Sequence, residues 1–143
     1  MEDVIVYRLS ALGFGPFFEE QLSRSEHPAA IPARIAAEHR GAYVVWSASG
    51  AGRARLAGKL RTRLEEEGFP AVGDWVVLKG APGPDRTSII DEVLERRTVY
   101  TRGAAGRPGR TQVVAENIDI VFAVCSRGPF YKNRELGVTP KSL

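Results

Sequence analysis

Phe69-Pro70-Ala71-Val72-Gly73-Asp74-Trp75-Val76-Val77-Leu78 decides how this chain is read. Proline holds the residue before it in extended backbone, so Phe69 enters the segment extended. Gly73-Asp74 marks a turn or bulge, since glycine takes backbone angles that other residues resist. The β-branched and aromatic run from Trp75 to Leu78 suits a pleated surface and is apolar on both faces. That predicts a strand near the middle of a small barrel, closed off by Lys79-Gly80-Ala81-Pro82-Gly83-Pro84.

Working outward towards the N-terminus, Ile31 to His39 reads as the first strand, with Pro32 at its start or on an edge. His39-Arg40-Gly41-Ala42 is a tight connection, Tyr43 to Trp46 the second strand, and Ser47 to Gly52 a hairpin loop. A third element begins at Arg53. Arg53, Arg55, Lys59, Arg61 and Arg63 alternate there with Ala54, Leu56, Leu60 and Leu64, and a period of two on a strand puts five cations on one face. Leu56, Leu60 and Leu64 are also four apart, so a helix after Gly58 competes. We expect a strand to about Leu60 and an exposed loop beyond it.

On the other side, Arg86 to Leu94 reads as the fifth strand and ends in the basic pair Arg96-Arg97. Five short strands separated by turn signals predict an all-β domain, a small closed five-stranded barrel, over residues 29–97. Residues 1–28 form a lead-in in which Pro16 opens a helical turn and Phe14, Phe17 and Phe18 pack against the barrel. Residues 98–112 read as a basic linker, with Arg102, Arg107 and Arg110 among glycines and a proline. An apolar strand is expected within 113–125, and a disordered tail over 126–143.

The 143 residues suffice for one domain with flanking segments, and 43% apolar residues suffice for its core. No apolar run approaches the roughly 18 residues of a membrane helix, and the first residues lack the basic-then-apolar order of a secretory signal. A single cysteine, Cys125, excludes a disulfide framework or a cysteine-rich zinc site within this sequence and points to a reducing compartment. Net charge is only +3, but most cations are arginine, whose planar fork suits phosphate. His27 and His39 have no partner at metal-ligand spacing and read as surface or turn residues. Asp91, Glu92 and Glu95 read as a solvated strand end.

Pro70-Ala71-Val72-Gly73-Asp74-Trp75-Val76 resembles the fingerprint in the N-terminal OB-fold domain of the ribosome small-subunit-dependent GTPase A family. The Leu12-Gly13-Phe14 segment and Gln112-Val113-Val114-Ala115 resemble stretches of the same family in the same order. The resemblance implies an OB-fold that docks a circularly permuted GTPase on the small ribosomal subunit, in the cytoplasm. For the full-length family it also implies GTP, magnesium and zinc, and residues 113–125 would be the first strand of a truncated GTPase domain. This chain carries no Gly-x-x-x-x-Gly-Lys-Ser/Thr loop, no guanine-reading Asn/Thr-Lys-x-Asp and no zinc ligands. It is therefore expected to hold no cofactor and to be inactive alone.

Two functional readings stay open. In the first the barrel binds ribosomal RNA, through Arg53, Arg55, Lys59, Arg61 and Arg63. Arg34 and Arg40 would flank them, with Tyr43 as a base-stacking ring (Trp46 could serve likewise) and Arg96, Arg97 and Arg102 as outlying cations. In the second it is a protein-interaction module that docks a GTPase domain in cis or in trans. Either way a monomer with no membrane partner is expected.

Overall fold

A computed structural model describes residues 8–25, 29–103, 111–122 and 138–142. Five strands close a barrel: β1 (Ile31–His39), β2 (Ala42–Ser47), β3 (Gly50–Leu56), β4 (Trp75–Lys79) and β5 (Thr87–Val93). Around the barrel the order is β1-β2-β3-β5-β4, and β4 pairs back onto β1. All pairings are antiparallel except β3 with β5. This is the small all-β, five-stranded barrel expected from the turn spacing, and it fits the OB-fold that the resemblance implies. Arg40 and Gly41 form the β1–β2 turn, both with positive φ (51° and 77°), as a two-residue hairpin of the right twist requires.

Alternation sets what is inside. Tyr43, Val45 and Ser47 of β2 point inward, and Val44 and Trp46 outward. Ile35, Val45, Val76, Leu78 and Ile90 fill the barrel.

The third element differs from expectation. The strand stops at Leu56, and Gly58–Glu67 is a helix, α2. The four-residue spacing of the leucines won: Leu60 and Leu64 are its two buried residues and cap the barrel core. Lys59, Arg61 and Arg63 stay exposed on α2, so the five cations do not share one strand face.

β4 is buried on both faces. Val76 and Leu78 enter the barrel core, while Trp75 and Val77 join an outer cluster with Phe14, Phe18 and Leu94. A 3-10 turn at Leu9–Leu12 and helix α1 (Pro16–Ser23) supply that cover. The Phe14 and Trp75 ring centroids are 4.8 Å apart and tilted by 60°.

Beyond the barrel, β6 (Thr98–Gly103) pairs antiparallel with β7 (Thr111–Glu116) on one side and β8 (Val138–Ser142) on the other. The expected linker thus contains a strand, since Thr98-Val99-Tyr100-Thr101 has the β-branched and aromatic composition of one. The expected strand ends at Glu116 and does not run through Ile118 to Phe122. Val138–Ser142 is a strand where a disordered tail was expected; residues 126–137 lie outside the described residues.

Candidate nucleic-acid interface

Val44 and Trp46 stand on the outer surface of β2, 39% and 40% exposed. The register sets Val44 opposite Arg53, and Arg53 opposite Thr87 on the far side. Directly paired residues share a face. Arg53 and Arg55 are exposed on β3 two positions apart, so the β2–β3 surface presents an aromatic ring, an apolar side chain and two guanidinium groups. Arg40 is exposed at the β1–β2 turn, and Lys59, Arg61 and Arg63 on α2. Arg63 makes an ion pair with Glu67 at 3.5 Å, one turn along the helix.

Four expected site residues lie elsewhere or are engaged. Tyr43 is only 3% exposed and belongs to the barrel core, not to a stacking surface. Positions 43 and 46 are an odd number of residues apart, so only one of the two rings can face out, and it is Trp46. Arg34 donates to three backbone carbonyls: Leu12 at 2.6 Å, Gly73 at 3.2 Å and Asn117 at 2.7 Å. Burial lowers its pKa. Arg96 is bidentate on Asp74, both contacts 3.1 Å, and lies 2.5 Å from Glu116 Oε2. Arg97 pairs with Asp119. The side chain of Arg102 lies outside the described residues.

These engaged arginines reveal what the Gly73-Asp74-Trp75 stretch does. Gly73 has φ 98° and sits against the Glu116 backbone. Asp74, fully buried, accepts from Ala71 N at 2.9 Å and from Arg96. One guanidinium can neutralise one carboxylate, and Asp74 and Glu116 are both buried around Arg96. Burial, then the neighbouring Asp74 carboxylate, push the Glu116 carboxyl up to about 9, against the opposing pull of Arg96. Glu116 therefore carries the proton at neutral pH. Three consecutive residues join the lead-in, the barrel and the following sheet.

A groove of about 900 Å³ opens where the β1–β2 turn, the start of α2 and the segment from Phe69 to Val72 meet. Phe69, Val72, Leu56 and Val114 wall it, and Arg55 and Arg61 stand at it. Sequence reasoning passed over Phe69, Val72 and Val114, because they look like core residues and only their 48%, 42% and 46% exposure sets them apart.

Among the described residues no group of three His, Cys, Asp or Glu could hold a metal ion. No described helix is long and apolar enough to cross a membrane.

No protein-family model matches the chain. Among curated proteins it is similar to the small ribosomal subunit biogenesis GTPase RsgA of Opitutus terrae, 38% identical over 124 residues, covering 81% of this chain and 34% of the relative. The RsgA of Syntrophotalea carbinolica is 33% identical over 136 residues, 90% of this chain and 36% of the relative. That of Xanthomonas campestris pv. campestris is 37% identical over 115 residues, 77% and 29%. The chain is homologous to RsgA proteins over 77–90% of its own length. It spans about a third of the length of these relatives, and the barrel and its flanking segments account for the part described. The resemblance first seen around Gly73-Asp74-Trp75 thus holds over most of the chain.

Proposed function

We propose that this chain is the RNA-contacting barrel of a small-ribosomal-subunit biogenesis protein and works on the ribosome in the cytoplasm. The observation that carries the reading is the outer β2–β3 surface. Trp46 and Val44 lie there beside the exposed Arg53 and Arg55, in a fold that commonly binds oligonucleotides on that face. Guanidinium groups engage phosphates while the indole stacks on an unpaired base, a combination that tolerates many sequences. Arg40 and the α2 cations widen the positive surface. Arg34 and Arg96 hold the domain together, and the RNA contact does not depend on them. The relatives are named as GTPases; hydrolysis would belong to parts of such proteins that carry nucleotide motifs, and the barrel would supply docking. Binding of the whole chain to small-subunit ribosomal RNA over a salt series tests the reading. Salt-insensitive binding, or none, would overturn it.

A further inference from the structure

We infer that the groove between Phe69, Val72 and Val114 receives one unpaired base of an RNA strand, with the adjoining phosphate on Arg55 and Arg61. This rests on the RNA-binding reading and names the part of the RNA that the barrel selects. Scattered apolar residues on a surface are ordinary, but apolar side chains gathered around a concavity mark a binding site. Here three such side chains, each more than a third exposed, wall one groove. Its volume of about 900 Å³ is that of a small-molecule site and exceeds what a single side chain would fill.

The charge complement selects the occupant. Arg55 and Arg61 form no ion pair among the described residues, so both guanidinium groups are available to an anion. Phe69 offers an exposed aromatic face beside them. An aromatic face with arginine is the usual setting for a splayed-out RNA base. The Tyr43 ring is core, yet the residue also lines the groove, and its hydroxyl makes no hydrogen bond among the described residues. Burial first, then Glu38, raise its pKa, so the phenol keeps its proton and can donate to a base edge. Glu38 also lines the groove, where it accepts from Gly41 N at 2.9 Å and would discourage a second phosphate. Arg55 belongs both to this groove and to the β2–β3 surface, so a strand tracking that surface would run into the groove.

The test uses the whole chain and two hairpin RNAs, one fully paired and one carrying a single bulged 2-aminopurine. The bulged RNA should bind more tightly, and 2-aminopurine emission should change on binding. Phe69→Ala should weaken the bulged RNA about 5- to 150-fold and leave the paired one unchanged. Arg61→Ala should act in the same selective way, whereas Arg53→Ala should weaken both RNAs alike. Phe69 and Arg61 are exposed, and a circular dichroism spectrum matching the parent certifies each variant; were Phe69→Ala to misfold, Arg61→Ala alone decides. Equal affinities with unchanged emission, while Arg53→Ala still weakens both, would remove the groove and spare the barrel reading. Loss of neither RNA on Phe69→Ala and Arg61→Ala would do the same, and would leave the groove to an apolar peptide. Failure to bind either RNA would remove both readings.

Discussion

Gly73 lies so close to Glu116 that a β-carbon on it would stand 2.0 Å from the Glu116 carbonyl oxygen. The two residues belong to different parts of the fold, the entry to β4 and the end of β7. Gly73→Ala faces both that clash and a φ of 98°, which L residues rarely adopt. It should destabilise the chain by well over ~1 kcal/mol. Hydrogen exchange is the sensitive measurement, because Glu116 N donates to Val72 O and Asn117 N to Thr98 O. Those two amides should lose protection before the barrel does; uniform loss across the molecule would contradict a local junction.

Glu116 should make stability depend on pH in an unusual direction. Its carboxyl is pushed up from 4.5 to about 9 in the folded chain, so between these values the native state binds more protons than the unfolded one. Stability from this group is fully present below about pH 4.5 and is lost as pH rises through about 9. Denaturant titrations from pH 5 to 9 should show a decline of at most ~1.4 kcal/mol per pH unit from one proton. Glu116→Gln keeps the shape without the proton and should flatten the decline. An unchanged slope in that variant would assign the effect to other groups.

Trp75 is fully buried between Phe14, Phe18 and the outer side of the barrel. Trp75→Ala should cost about 3–5 kcal/mol, because large-to-small changes leave a cavity. Its Nε1 has no acceptor among the described residues. Trp75→Phe removes that unsatisfied donor along with some volume and should cost clearly less. Thermal midpoints in the order Trp75, Phe, Ala would support this account, and equal losses for both variants would contradict it.

Arg34 and Arg53 should separate cleanly. If about four cations neutralise phosphates, log K against log salt should have a slope of about −3 to −4, and Arg53→Ala should reduce it by about 1 with the fold intact. Arg34→Ala removes three hydrogen bonds, leaves the Leu12 and Asn117 carbonyls without that donor, and should instead cost roughly 1.5–3 kcal/mol of stability, with the salt slope retained. A reversed pattern would put Arg34 at the RNA and Arg53 in the scaffold.

Much of the barrel could be read from local signals. Alternation along β2, the Arg40-Gly41 turn and the apolar β4 run each act over a few residues. The helix α2 was harder, because its arginines and leucines satisfy periods of two and of four at once. Only the closure of the barrel end by Leu60 and Leu64 distinguishes them. Arg34 and Arg96 looked like any other cations on paper. Their partners lie between 20 and 83 positions away, and nothing local in the sequence brings Arg34 to Asn117 or Arg96 to Glu116. Phe69 and Val72 were hidden for the opposite reason: their chemistry is that of a core, and only the path of the chain leaves them outside it.

Asn117 comes well after the last barrel strand, yet it serves the barrel three times over. Its Oδ1 accepts from Arg97 N at 2.7 Å, its Nδ2 donates to Gly73 O at 3.0 Å, and its carbonyl accepts from Arg34. The autonomous unit therefore reaches past the hairpin, and a protease nick or fusion junction at Arg97 would cut inside it. Such a fragment would keep every barrel strand and still leave Arg34 and Arg96 short of partners, exposing the hollow at Gly73. Joining points placed after Asp119 would leave those contacts whole.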